Sequence, residues 1–282
     1  MIETRHETAL LLRTIDKAAI GLSALAFLVF SLIAWLVLGP VMVVGSLTIM
    51  LALLLAAQAE AYRRLHQGYE QIESLFSLFS VLKIRRPLPK MGDWAISADF
   101  ANLLVESIQE HRPRHILELG SGVSTLIMGY CIQSLGVGTV TSLEHDEKWA
   151  AATSELVRAH GLDSVAKIQH APLVPVTLEG RRWRWYDTTT LPPGAAYDML
   201  VVDGPPAVIG PLARYPALPL VITKLTDAAV VLVDDASRPD ERETVRRWLV
   251  GFKEFTSTNV PTKKGAVVLR RGRQNSGNLP SQ

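Results

Sequence analysis

Acidic residues and glycines recur where four short apolar runs of the chain end. One run ends in Glu118-Leu119-Gly120-Ser121-Gly122, another in Glu144-His145-Asp146, a third in Asp203-Gly204 and a fourth in Asp234-Asp235. Glycine lets a backbone turn tightly and approach a ligand closely, and carboxylates accept hydrogen bonds or bind cations. These residue types favour a site for a polar organic ligand, with or without a metal ion.

The elements that must position these residues alternate between strand and helix. Apolar runs are separated by helical stretches such as Lys148–His160. This alternation predicts an α/β fold with a doubly wound, mostly parallel, seven-stranded sheet. In such sheets ligands bind beyond the carboxyl ends of the strands, so the acids and glycines should meet at one edge. The predicted strands are His115–Leu119, Thr139–Leu143, Val165–His170, Tyr197–Val202 and Ala228–Val233, with a closing hairpin of Phe252–Thr256 and Ala266–Arg271.

The first glycine turn lacks one feature of a dinucleotide site. A dinucleotide fingerprint would place a third glycine where Thr125 stands. The amides of the following helix still favour an anionic group. Glu144 ends the next strand, where an acid can accept hydrogen bonds from both ribose hydroxyls. The residues alone therefore predict an adenosine-containing ligand.

Several of these motifs, in this order, resemble those of one enzyme family. Glu118–Thr125 and Thr141–Asp146 look like the first two motifs of class I S-adenosylmethionine-dependent methyltransferases. The similarity is greatest to catechol-type and related small-molecule O-methyltransferases. Asp203–Pro206 and Leu232–Asp235 resemble the later motifs of that group, and Met91–Ser97 resembles the segment that such enzymes fold over the cofactor. The resemblance covers about residues 90 to 271 and implies methyl transfer from S-adenosylmethionine.

The resemblance also implies roles for individual residues. Gly120–Gly122 would line the methionine part of the cofactor, Glu144 would hold the ribose, and His170 with Ala171 would lie near the adenine. Two other interpretations remain open: the glycines only form a tight turn, or the histidines are only solvated. The predicted cofactor-binding residues are Glu118, Gly120, Ser121, Gly122, Ser124, Glu144, His145, His170 and Ala171.

Three aspartates predict a metal site at the same edge. Asp203, Asp234 and Asp235 end two strands that should be neighbours, and their carboxylates would repel one another without a cation. Mg²⁺ prefers such oxygen ligands. Metal-dependent relatives carry an asparagine where Asp235 stands. The alternative is that Asp203 contacts the cofactor while the aspartate pair caps the next helix.

The catalytic base is left open. Catechol-type enzymes carry a lysine shortly after the first metal-binding aspartate, but Gly204-Pro205-Pro206 occupies that place here. Asp203 is the predicted catalytic residue, and His170 and Tyr215 are the other groups that could accept a proton. Two further functions remain open: an aminopropyltransferase-like enzyme on the same scaffold, and a non-catalytic membrane scaffold.

The N-terminal part of the chain predicts a transmembrane hairpin. No Asp, Glu, Lys, Arg or His occurs between Ala18 and Ala59, and Gly39-Pro40 interrupts this run near its middle. A span needs about 20 apolar residues, so we expect helices at Ala18–Leu38 and Val41–Gln58. The other readings are a signal peptide or a buried core hairpin.

Basic residues flank both ends of this hairpin, which places both ends in the cytosol and the catalytic domain on the cytoplasmic side of the cell (inner) membrane. The predicted organisation is a cytosolic segment at 1–17, the hairpin at 18–58, a connecting amphipathic helix at 59–86, the methyltransferase domain at 87–271 and a disordered tail at 272–282. The flanking residues are Arg5, Arg13 and Lys17 before the hairpin, and Arg63, Arg64, Lys83, Arg85 and Arg86 after it.

The connecting helix, predicted at Glu60–Leu82, carries one apolar stripe with spacings of three and four. The stripe packs on the catalytic domain, lies at the bilayer surface or joins two copies into a homodimer. Its members are Tyr62, Leu65, Tyr69, Ile72, Phe76 and Phe79.

The composition of the chain limits the kinds of partner that it is expected to bind. A net charge of +2 on 282 residues argues against a nucleic-acid binder held by phosphate contacts. The single cysteine, Cys131, excludes an intrachain disulfide. Arg181–Trp185 would touch anionic headgroups or form a solvated loop with two packed tryptophans. The expected acceptor is a small molecule or a lipid-linked compound.

Overall fold

The computed structural model describes residues 21–33, 35–37, 39–192 and 194–272. The chain divides into two compact units, one ending at Gly68 and the other beginning at Tyr69. The predicted cytosolic segment at 1–17 lies outside the described residues, and so does the predicted tail beyond Gly272.

The first unit contains helix α1 (Gly21–Val37) and the first part of helix α2 (Pro40–Val81). Gly39 separates the two helices with φ +82°, and its amide donates to the Trp35 carbonyl. Among the described residues, α2 alone is long and apolar enough to cross a membrane, with a mean hydropathy of 2.3 over its most apolar window. The two-span hairpin and its orientation therefore stay predictions.

The second unit begins with the last turns of α2, one face of which packs on the domain. The Gln71 side chain accepts a hydrogen bond from the Ala98 amide, and Leu78 is fully buried. The apolar stripe lies on another face of the helix, because Ile72 and Phe76 are 51% and 74% exposed. The interpretation that the stripe packs on the catalytic domain is therefore wrong.

The second unit is built on a seven-stranded sheet. The strands are β1 (His115–Leu119), β2 (Thr139–Glu144), β3 (Ala166–His170), β6 (Tyr197–Val202), β7 (Leu225–Val233), β8 (Phe255–Val260) and β9 (Ala266–Arg271). Their order in the sheet is β3-β2-β1-β6-β7-β9-β8. Strands β3, β2, β1, β6 and β7 run parallel, and β9 and β8 add an antiparallel edge. The predicted fold class is confirmed.

Helices cover both faces of this sheet, and each face has its own apolar core. One core contains Leu78, Leu104 and Leu126, and the other contains Leu218 and Trp248. Two cores on opposite faces are what a doubly wound sheet requires. The helices are α3 (Ala98–His111), α4 (Val123–Leu135), α5 (Glu147–Ala159), α6 (Ala217–Val221) and α7 (Pro239–Gly251), with short 3₁₀ turns at Thr188–Thr190, Ala207–Ile209 and Ile222–Lys224.

A separate hairpin was not predicted. Strands β4 (Leu173–Leu178) and β5 (Arg181–Tyr186) pair antiparallel. Trp183 and Trp185 are buried, whereas the three arginines of β5 are exposed. The interpretation of this segment as a loop is therefore wrong, although its tryptophans do pack inward. The alternation of arginine and tryptophan has the period of two that a half-buried strand requires.

Candidate active site

The turn between β1 and α4 is held by a buried carboxyl group. Gly120 has φ +104°, which favours glycine, and its amide donates to the Leu143 carbonyl. Behind the turn, Glu118 accepts hydrogen bonds from Thr125 (2.6 Å) and Ser142. Burial raises the pKa of Glu118 to about 7 despite these bonds. Glu118 thus stabilises the turn from behind.

Glu144, at the end of β2, is held as an acceptor. Its Oε2 accepts from the Ser121 hydroxyl at 3.0 Å, its Oε1 accepts from the Asp146 amide at 3.1 Å, and His145 Nδ1 lies 2.9 Å from Oε1. Burial alone would raise the pKa of Glu144, but these hydrogen bonds outweigh it and hold the pKa below its ordinary value. The carboxylate is therefore ionised at neutral pH.

A cavity of about 680 Å³ opens at the carboxyl ends of β1, β2 and β6. This volume suits an organic ligand of cofactor size. The segment Gly92–Ile96 forms part of the wall, as the resemblance implied. The predicted site residues that line the cavity are Gly120, Ser121, Gly122, Ser124, Glu144, His145, Asp203 and Asp235.

Four predicted site residues are not part of the cavity lining. Glu118, Ala171 and Asp234 are fully buried, and His170 is exposed at the end of β3. The adenine contact expected of His170 and Ala171 thus has no counterpart in the lining. Glu118 and Asp234 can act only through the residues that they contact.

The three aspartates converge, as the order of the strands predicted. One carboxylate oxygen from each of Asp203, Asp234 and Asp235 lies within 4.8 Å of the others; we call these three residues the acidic cluster. Asp203 follows β6 and the aspartate pair follows β7, which is its neighbour in the sheet. The aspartate pair does not cap the next helix, because α7 begins at Pro239 with Arg238 in the N-cap position.

A buried arginine lies within the acidic cluster. Arg214 Nη2 is 2.8 Å from Asp235 Oδ2 and 3.4 Å from Asp203 Oδ1. The guanidinium also donates to the carbonyl oxygens of Asp203 and Asp234, at 2.6 and 3.0 Å. Arg214 is only 4% exposed, so its charge is compensated by these acids rather than by water.

Two further cations flank the acidic cluster. Lys264 Nζ lies 3.5 Å from Asp234 Oδ2 and 3.6 Å from Asp235 Oδ1, and Arg238 Nη1 lies 2.9 Å from Asp235 Oδ2. Burial and repulsion between the acids raise the pKa of Asp203 well above its ordinary range and that of Asp234 to about 6. Because cations of the chain already surround these carboxylates, the donor set does not fit the predicted Mg²⁺.

Tyr186 was missed by sequence analysis and lines the cavity. It is 1% exposed, and its hydroxyl has no hydrogen-bond partner within the described ranges. Burial raises the pKa of Tyr186 well above its ordinary value, so the phenol stays neutral. A Cβ on Gly204 would collide with this hydroxyl. An unpartnered polar group beside close-packed backbone is a feature expected of a ligand site.

The structure also distinguishes between the three residues that could act as the catalytic base. Tyr215 donates its hydroxyl to Glu179 at 2.9 Å and is not among the lining residues. His170 is exposed outside the lining. Of the three candidates only Asp203 lines the cavity.

A comparison with known protein families gives a match to the segment that forms much of the cavity wall. Residues 117–236 match a family described as a methyltransferase domain. This segment is similar to a methyltransferase domain. The match spans less than half of the chain and contains Glu144, Asp203 and Asp235. No curated protein matches the chain.

Solved structures with a similar fold include three methyltransferases. The O-methyltransferase TomG from Streptomyces achromogenes is 21% identical, over 64% of this chain and 83% of that one, with a TM-score of 0.49. The methyltransferase PaMTH1 from Podospora anserina is 16% identical, over 71% and 87%, with a TM-score of 0.48. An O-methyltransferase from Bacillus cereus is 16% identical, over 71% and 90%, with a TM-score of 0.45. All three scores lie below 0.5.

Proposed function

We propose that this chain is an S-adenosylmethionine-dependent O-methyltransferase that acts at a membrane. The observation that carries the proposal is the cavity of the methyltransferase domain. Gly120, Glu144 and Asp203 line it together, at the ends of three adjacent strands. Ligands of parallel α/β sheets bind at this edge.

The residues of the cavity suit S-adenosylmethionine. Gly120 has φ +104°, a conformation that favours glycine, so bare backbone faces the cavity at this turn. The amides at the start of α4 favour the methionine carboxylate, and the ionised Glu144 can accept hydrogen bonds from the ribose. The negative charge of the ionised Glu144 complements a sulfonium, whereas Asp203 and Asp235 are paired with Arg214.

When bound, the cofactor would supply its sulfonium methyl group to an acceptor oxygen, with the thioether S-adenosylhomocysteine as the leaving group. The chain itself contributes position, because in-line displacement needs the acceptor oxygen held opposite the sulfur. It also contributes a proton acceptor: Asp203 lines the cavity, and burial raises its pKa well above the ordinary range. A carboxylate with a raised pKa is a stronger base. We assign this role to Asp203.

Membrane attachment is the second part of the proposal. The length and hydropathy of α2 and the basic flanks of the apolar run support a helical anchor with the domain on the cytoplasmic side. Such an anchor favours a lipid or lipid-linked acceptor over a freely soluble one. Alkaline extraction of membranes tests it: the chain should stay in the pellet, and release into the supernatant would contradict the anchor.

The exposed stripe of α2 supports a homodimer. Its residues follow spacings of three, four, three, four and three, which is the pattern of a two-stranded coiled coil. Oxidation of Ile72→Cys in membranes should give a cross-linked dimer, whereas Ser77→Cys, on another face of the helix, should give little. Equal cross-linking of the two variants would contradict this arrangement.

The activity is tested with the full-length protein in detergent, methyl-labelled S-adenosylmethionine and a membrane lipid extract. Label should appear in one extracted compound. Asp203→Asn should abolish that transfer, and Glu106→Gln, an exposed substitution on α3, should leave it unchanged. A methyl label also separates methyl transfer from aminopropyl transfer. A protein that binds no S-adenosylmethionine and labels no fraction would refute the proposed function.

A further inference from the structure

Three positively charged side chains lie within 3.6 Å of carboxylate oxygens of the acidic cluster. Arg214 and Arg238 contact Asp235 Oδ2 at 2.8 and 2.9 Å. Lys264 lies 3.5 and 3.6 Å from Asp234 Oδ2 and Asp235 Oδ1. These last two oxygens accept no hydrogen bond from any residue that the structure describes, so Lys264 is the cation that faces them.

The position of Arg214 does not depend on the carboxylates alone. Its guanidinium donates to two backbone carbonyls, those of Asp203 and Asp234, so it would stay in place if an ion bound the side chains. Mg²⁺ binds oxygen at about 2.1 Å. An ion at that distance from Asp235 Oδ2 would lie within about 5 Å of Arg214 Nη2, where two positive charges repel strongly in a buried site.

The route by which a metal ion would reach the acidic cluster also argues against a metal site. Asp203 and Asp235 line the cavity together with Arg214, whereas Asp234 and Lys264 do not. A hydrated ion that entered from the cavity would meet two carboxylates already bound to a guanidinium. From the cavity an ion would therefore reach only two of the three aspartates that the sequence predicted as metal ligands.

We propose that the acidic cluster is metal-independent, with Arg214 and Lys264 in place of a divalent cation. Arg214 is a positioning residue that fixes the carboxylates of Asp203 and Asp235 at the cavity wall. The catalytic meaning of this arrangement rests on the proposed methyltransferase function. It follows that the acceptor needs one oxygen near Asp203, not the adjacent pair of oxygens that chelates a metal ion.

The test measures metal binding directly, with Mn²⁺ as the probe. Full-length protein in detergent is treated with a chelator, dialysed and titrated with Mn²⁺, and the free ion is counted by electron paramagnetic resonance. The unsubstituted protein should bind no Mn²⁺ at micromolar concentrations. Arg214→Gln removes one competing charge and should bind one Mn²⁺ at least about tenfold more tightly, and adding Asp235→Asn to that variant should remove the gain. A micromolar Mn²⁺ site in the unsubstituted protein that Asp235→Asn abolishes would overturn the proposal.

The test does not require Arg214→Gln to fold. A micromolar Mn²⁺ site in the unsubstituted protein would by itself overturn the proposal. S-adenosylmethionine is titrated into the same samples with chelator or with Mg²⁺, and its affinity should be equal in both. A protein that binds no S-adenosylmethionine contradicts the proposed function, while the Mn²⁺ count still reports on the acidic cluster. Methyl transfer that stops in chelator and returns with Mg²⁺ would also overturn metal independence.

Discussion

Replacing Glu118 by glutamine should stabilise the protein above neutral pH. The side chain is fully buried, its Oε2 accepts hydrogen bonds from Thr125 and Ser142, and burial raises its pKa from 4.5 to about 7. A carboxyl group with a raised pKa in the folded state binds its proton more tightly there than in the unfolded chain. The free energy of unfolding therefore falls as pH rises through this window.

The magnitude follows from the two pKa values. The interval from 4.5 to about 7 corresponds to about 3 kcal/mol of unfolding free energy. The loss begins near the lower value and is complete above the upper one. Glutamine has a similar shape and no proton to lose, so Glu118→Gln should remove this loss. For a unit of this size about 3 kcal/mol corresponds to roughly 10 °C in the midpoint of thermal unfolding.

The assay is thermal unfolding of the full-length protein in detergent, followed by tryptophan fluorescence from about pH 5 to about pH 8. Asp203 and Asp234 also have raised pKa values, but they are present in both proteins, so the difference between the two curves reports Glu118. The curves should lie closest at about pH 5, diverge as the pH rises to about 7 and run parallel above that pH. Parallel curves over the whole range would refute the assignment of a buried, proton-binding carboxyl group to Glu118.

Two more substitutions test the packing around the site. Gly204→Ala places a methyl group against the Tyr186 hydroxyl and should cost about 1–3 kcal/mol of unfolding free energy. Adding Tyr186→Phe should recover part of this loss. A Gly204→Ala variant with an unchanged midpoint of thermal unfolding would contradict the contact. Gln71→Leu leaves the Ala98 amide without its acceptor and should cost about 1 kcal/mol. Ser77→Gln, at an exposed position outside the apolar stripe, should change the free energy of unfolding by no more than about 0.5 kcal/mol, and equal effects at the two positions would show that the wrong face of α2 was assigned to the domain.

Much of the sheet could be predicted because its strands are short, apolar and bounded by turn residues. The observed bounds of β1 and β6 are those that the sequence predicted. β7 begins three residues before its predicted start at Ala228, and β8 lies three to four residues beyond its predicted position. The β4–β5 hairpin was missed because three arginines interrupt the apolar pattern of β5, and only its alternation indicated a strand.

The sequence predicted that the three aspartates converge, but it did not predict that positively charged side chains contact them. Strand order brings Asp203 next to Asp234 and Asp235, because parallel strands end at one edge. Arg214 lies in a connecting segment and Lys264 precedes β9, and no pattern in the sequence links either residue to this edge. Whether a carboxylate cluster holds a metal ion or an arginine depends on such tertiary contacts.

The most direct test of the central claim is the affinity for S-adenosylmethionine measured by calorimetry on the full-length protein and on Glu144→Gln, with Glu106→Gln as the matched control. The unsubstituted protein and the control should bind one molecule with equal affinity. Loss of hydrogen bonds to a charged acceptor costs about 1.5–3 kcal/mol, so Glu144→Gln should bind roughly 10- to 100-fold more weakly. Unchanged affinity in Glu144→Gln, or no binding by the unsubstituted protein, would contradict the claim that the strand-end residues enclose this cofactor.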